Sequence, residues 1–174
     1  MRAHDPELRP LHFLLDALSE ARGKARAMMV IGIGNEFRHD DAVGLIVARR
    51  LRELGVHAEE HEGDPAALMD RWKRADSLIL IDAVTSGAAA GTLHRLNASS
   101  SPLNREIFKS STHVLGLADS VELSRALGTL PPRVVVFGLE ARDLTAGVGL
   151  SPEVACALPE LIEEVIRSTN AFVP

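Results

Sequence analysis

The chain has 174 residues, about one domain's worth, with 46% hydrophobic and 25% charged residues, the balance of a globular protein. Its formal charge of −5 excludes a broad basic surface for nucleic acid, and its single cysteine, Cys156, excludes an internal disulfide and a cysteine-based zinc site. Tyr is absent and Trp72 is the only Trp, so a core has to be built from Leu, Val, Ile and Ala.

Residues 1–26 read as an N-terminal extension, an amphipathic helix or a disordered segment ahead of the domain. Asp5, Glu7, Asp16 and Glu20 interrupt its apolar stretch, unlike a secretory signal, and no apolar run approaches membrane-spanning length. A cytoplasmic protein without a membrane partner is expected. Residues 28–33 are a short apolar run ending in glycines, the mark of a buried parallel strand. Val43, Ile46, Val47, Leu51 and Leu54 recur at helical spacing, which predicts an amphipathic helix over 41–54 closed by Gly55. A strand is expected at 56–61, then a helix over 65–74 with Pro65 in its first turn.

Residues 77–82 form a second buried strand, and only nine residues, 83–91, separate it from the next at 92–96. A parallel crossover needs about a dozen, so strand 92–96 is expected to be antiparallel and at an edge. The Ser-rich stretch 97–112 is too polar for a core element. A helix over 114–127 and a strand over 134–138 follow. The last helix starts at Ser151-Pro152-Glu153 with cap, proline and acid in order, and runs to about 168 with a kink or break at Pro159. This alternation predicts an α/β three-layer sandwich within a single domain, 27–174. Its mostly parallel twisted sheet has about five strands and one antiparallel edge strand, with helices on both faces. Ligands in such folds gather at the carboxyl ends of strands, here after Ile33 and after Ile81.

Three places offer chemistry. Gly32-Ile33-Gly34-Asn35 lacks the third glycine of a dinucleotide loop, since Phe37 stands there, and no phosphate-binding Gly-Lys-Ser/Thr follows. The loop ends in Asp40-Asp41, which read as helix-capping acids or as one cap and one group aimed at a ligand. Asn35 reads as a left-handed turn residue. Asp82 ends an apolar strand and needs a pair, a metal or the backbone N–H groups of the 84–87 turn. His113 precedes a helix, where a cap or surface residue is the ordinary reading; His4, His12, His57 and His94 read as solvated. Together Asp41, Asp82 and His113 form an oxygen and imidazole donor set suited to a divalent ion with positions left open. No Gly-x-Ser-x-Gly elbow supports serine hydrolysis, and Cys156 reads as a packed helix residue.

Residues 32–44, running from Gly32-Ile33-Gly34-Asn35 through Asp40-Asp41 to Gly44, resemble the opening signature of the hydrogenase maturation endopeptidases. Ile81-Asp82-Ala83-Val84 with Gly91-Thr92, then Thr112-His113 with Gly116-Leu117, then Gly149-Leu150-Ser151-Pro152 are similar to later motifs of that family in the same order. The likeness spans roughly residues 28–168. It implies a metal-dependent endopeptidase that removes a C-terminal extension from the large-subunit precursor of a nickel–iron hydrogenase. By the same resemblance Asp41, Asp82 and His113 are the catalytic, metal-holding residues, and Gly34 and Asn35 contact substrate. Nickel is supplied by the substrate as a recognition element, zinc or cadmium serves as a surrogate, and no organic cofactor is expected. Asp40 keeps its capping role. Glu62-Gly63-Asp64-Pro65 departs from the Asp-Gly-Gly-Thr of some members, a change that bears on substrate choice. The alternatives are a nickel-handling accessory protein that does not cut, a nucleotide-binding domain, and a metal-dependent peptidase with another substrate.

Overall fold

A computed structural model of the chain describes residues 28–108 and 116–172. The expected N-terminal extension over 1–26, His113 and the expected helix start at 114 lie outside the described residues. Among the described residues, five strands make one sheet: β1 (Met28–Ile33), β2 (Glu59–His61), β3 (Ser77–Val84), β4 (Leu93–Asn97) and β5 (Arg133–Glu140). Four α-helices accompany them: α1 (Val43–Glu53), α2 (Pro65–Trp72), α3 (Leu117–Ala126) and α4 (Pro152–Phe172). No described helix is long and apolar enough to cross a membrane.

The strand order is β2-β1-β3-β5-β4, parallel throughout except for β4, which runs antiparallel to β5 at the edge. The expected fold and its antiparallel edge strand are therefore present. Alternation along the strands divides the core in two. Val30, Ile79, Ile81, Val135 and Phe137 pack against Val47 and Leu51 of α1 and Leu161 and Ile166 of α4. On the other face Ile31, Leu78, Leu80 and Val136 pack against Leu68 and Trp72 of α2 and Val121 of α3. Both faces of the central strands are covered, which is why β3 is an unbroken apolar run apart from Ser77 and Asp82. The chain leaves β1 towards β2 on one side and returns to β3 on the other, so the topological switch lies between β1 and β3.

Several boundaries differ from the sequence reading, each for a local reason. β2 begins at Glu59, because Val56 is still occupied in closing α1, its N–H donating to the Leu51 carbonyl. β3 and β5 each continue two residues past the predicted end, since their paired register carries on through Val84 and Glu140. The stretch after β4 is not purely polar: Ala98, Leu103 and Phe108 are buried in the core. Within the described residues α3 runs from Leu117, with Gly116 at its N-cap donating its N–H to the Asp119 carboxylate. α4 runs unbroken through Pro159, held to the core by Val154 before the proline and by Leu161, Ile162 and Val165 after it.

α1 lies unusually close to the sheet. A Cβ on Gly44 would stand 2.2 Å from the Ile33 carbonyl oxygen and 2.5 Å from that of Ile81, so the helix touches the backbone of β1 and β3 directly. Gly32 meets the same helix, its missing Cβ lying 1.9 Å from the Gly44 oxygen. Gly44→Ala is expected to lower stability by about 1–3 kcal/mol, despite the better helix propensity of Ala, because the helix has to lift. Urea unfolding measures this, and an unchanged or raised midpoint would contradict the contact.

Candidate active site

Gly34 directly follows β1, and the carbonyl oxygen of Asp41 stands 1.8 Å from where its Cβ would be. The missing side chain thus lets the turn fold back until Asp41 lies against the strand end. Asp41 belongs to a 3-10 turn, His39–Ala42, that leads into α1. Asp82 sits two residues inside the end of the neighbouring strand, with Gly138 as its partner on β5. Asp41 and Asp82 are 4% and 3% exposed, and both line one cavity of about 280 Å³. Gly34, Asn35, Leu68 and Leu117 contribute to the same wall, and Glu36 and Glu62 are exposed at its mouth.

Of the five residues singled out from sequence, Asp41, Asp82, Gly34 and Asn35 therefore share one cavity, and His113 lies outside the described residues. Asp82 is not held by the turn that follows it. Its Oδ1 accepts only the Ala83 N–H, at 2.8 Å, among the bonds resolved. Burial, and next the nearby Asp41 charge, push its carboxyl well above the ordinary range. Asp41 has an Arg38 guanidinium nitrogen at 3.9 Å, a loose ion pair. Two facing carboxylates in a desolvated cavity repel each other, and a cation between them removes the conflict. Among the described residues no three His, Cys, Asp or Glu side chains are grouped to hold a metal ion.

The acids beside these two have different work. Asp40 does not cap its own helix. Its carboxylate accepts from the N–H groups of Arg142, Asp143 and Ser151 and from the Ser151 hydroxyl, all within 2.7–2.9 Å. It ties the loop after β5 to the start of α1, and it takes the Ser151 hydroxyl that the sequence assigned to capping α4. Asn35 is not left-handed; its Oδ1 accepts the Phe37 N–H at 2.9 Å, an Asx turn, and His39 is the described non-glycine residue with positive φ.

Glu140 is the residue the sequence reading missed. It takes the Ser86 and Gly87 N–H groups at 2.8 and 2.9 Å, with the Ser86 hydroxyl and His94 Nε2 on its other oxygen. Burial pushes this carboxyl up, but those hydrogen bonds prevail and hold it below its usual value. The signal that marked Asp82, an acid closing an apolar strand, is equally present in β5. His94 is accordingly part-buried and paired rather than solvated. Ser86 and His94 share one carboxylate oxygen, so the cluster is a turn anchor and not a nucleophile relay. Cys156 is exposed, on the side of α4 away from Val154 and Leu161, and does not pack in the core.

The raised pKa of Asp82 has a measurable consequence for the metal-free protein. In the folded state its charged form is disfavoured, so stability is full below the unfolded carboxylate value, near 3.9, and falls as pH rises through the folded one. Asp82→Asn is expected to stabilise the protein at pH 7, with the gain shrinking as pH falls towards about 4. Unfolding midpoints at the two pH values test this, and an equal gain at both would remove the charge conflict as its cause.

A family model for hydrogenase maturation proteases, HycI, matches residues 63–168. The hydrogenase 2 maturation protease of Escherichia coli is 30% identical over 149 residues, covering 81% of this chain and 89% of the relative. The hydrogenase expression/formation protein HupD of Rhodobacter capsulatus is 28% identical over 155 residues, covering 86% of this chain and 74% of that one. Among solved structures, the E. coli hydrogenase maturating endopeptidase HybD superposes with a TM-score of 0.68 at 26% identity, over 83% of this chain and 93% of its own. With its sheet order, its paired acids and these matches, the chain belongs to the hydrogenase maturation protease family.

Proposed function

We propose that this peptidase removes the C-terminal extension from a nickel-loaded large-subunit precursor of a nickel–iron hydrogenase. The observation that carries the reading is the pairing of Asp41 with Asp82 at one buried cavity, an arrangement that a cation arriving with the substrate relieves. In this reading His113 is the third donor. Leu117 lines the cavity and follows His113 by four residues, a tether of at most about 14 Å. Two carboxylates and an imidazole suit nickel, and equally zinc or cadmium as surrogates, while leaving positions for the ligands the precursor brings. Nickel is then a feature of the substrate that the enzyme recognises, and no organic cofactor takes part.

The chain's own residues have definite tasks. Asp82 gives up its proton when the cation arrives, and the two carboxylates then hold the metal edge of the substrate. Gly34 and Asn35, on the cavity wall, lie beside the peptide that follows. A carboxylate in this position also accepts a proton from water attacking the scissile carbonyl.

Incubation of the purified protein with nickel-loaded precursor, read by mass, tests the activity; no loss of the extension would favour a nickel-binding accessory protein. Asp41→Asn, Asp82→Asn and His113→Ala are each expected to abolish processing while the fold persists, and full activity in two of the three would discard the ligand assignment. Precursor lacking nickel is expected to remain uncut. Efficient cleavage of it would remove the recognition role from the metal.

A further inference from the structure

We propose that Phe37 and Val148 form an apolar docking ridge for the precursor polypeptide at the mouth of the carboxylate cavity, an inference that rests on the peptidase reading above. Among the described residues the large apolar side chains left exposed are Phe37, Leu123, Leu127 and Val148. Isolated exposed apolar residues are ordinary and need no ligand. Phe37 and Val148, 67% and 71% exposed, are different because their segments are joined at the cavity. The Gly147 N–H donates to the Phe37 carbonyl at 2.8 Å and the His39 N–H to the Gly147 carbonyl at 3.0 Å, a short parallel bridge between widely separated parts of the chain.

That bridge is firmly built. The His39 ring lies so close to Gly147 that a Cβ there would be 2.0 Å from its Nε2, and His39 Nδ1 is 3.2 Å from the Gly149 carbonyl oxygen. Asp40 fixes the same loop through Arg142, Asp143 and Ser151. The two exposed side chains are thus carried on a cross-linked support.

The occupant follows from what borders the ridge. Phe37 itself lines the carboxylate cavity, so a peptide lying there meets it. On the other side, Val148 opens onto a second hollow of about 340 Å³, whose apolar lining includes Leu150 and Pro152. Phe37 borders the first hollow and Val148 the second, and the hydrogen bond from the Gly147 N–H to the Phe37 carbonyl joins their segments. Glu36 and Glu62, exposed at the mouth of the first cavity, disfavour an acidic segment there and leave apolar contact to hold the chain outside it. The ridge therefore fits an extended, apolar, non-acidic stretch of the precursor beside the cleaved bond.

Steady-state processing of nickel-loaded precursor tests this. Phe37→Ser and Val148→Ser are each expected to raise KM about tenfold with a much smaller change in kcat. Phe37→Leu, which keeps the apolar surface, is expected to restore KM. Leu127→Ser, which changes a side chain 62% exposed beyond α3, serves as the control and is expected to match the wild type. Wild-type KM in both serine variants would overturn the ridge and leave the peptidase reading standing. A wild type that never releases the extension would overturn both. If sedimentation finds a wild-type dimer that Phe37→Ser dissociates without moving KM, the ridge joins two copies of the chain and the proposal fails.

Discussion

A carbonyl oxygen belonging to Asp41 occupies the place where Gly34 would carry a side chain, and the geometry of the cavity descends from that contact. Because the turn after β1 folds back so tightly, α1 begins directly on the strand backbone, with Gly44 against the Ile33 and Ile81 oxygens. β1 and β3 are hydrogen-bonded neighbours, so an acid at the head of α1 and an acid near the end of β3 reach the same space. Larger residues at Gly34 or Gly44 would separate them. The glycines of the first motif, which look like a nucleotide loop missing its third member, act here as spacers of zero width between helix and sheet.

Burial alone does not separate structural acids from candidate catalytic ones. Asp40, Asp82 and Glu140 are all buried. Asp40 receives four hydrogen bonds and Glu140 is likewise enclosed by donors from Ser86, Gly87 and His94, so each carboxyl group fastens a loop. Asp82 has one resolved backbone donor and a like-charged neighbour, and its carboxyl is correspondingly pushed towards the neutral form. Acids surrounded by donors hold the fold, whereas Asp82, with its like-charged neighbour, is the one the proposed function assigns to a cation.

Such a pair is stored conflict. The two apolar layers on either side of the sheet make it tolerable, since the central strands and helices around it are otherwise well packed. In the proposed function, a metal that arrives with the substrate relieves this conflict. Recognition and timing are one event in that proposal, and the proposed apolar ridge adds a contact that a small ion cannot make.

Residue order alone carries the strand and helix alternation, the antiparallel edge strand and an acid, Asp82, near the end of an apolar strand, whereas Asp41 is set apart from Asp40 only by the family likeness. These are legible because period-two and helical apolar patterns reflect local burial, and because nine residues are too few for a parallel crossover. His113 was chosen on its motif, and the described residues do not bear on it. The partners of the polar side chains were decided only in three dimensions. Asp40 looks like a cap until the loop from Arg142 to Ser151 is brought over it, and Glu140 looks like a strand end until Ser86 and His94 close around it. The physical reason is range: apolar periodicity is written within a few neighbouring residues, whereas a buried carboxylate takes its character from donors fifty to a hundred positions away that only the folded chain assembles.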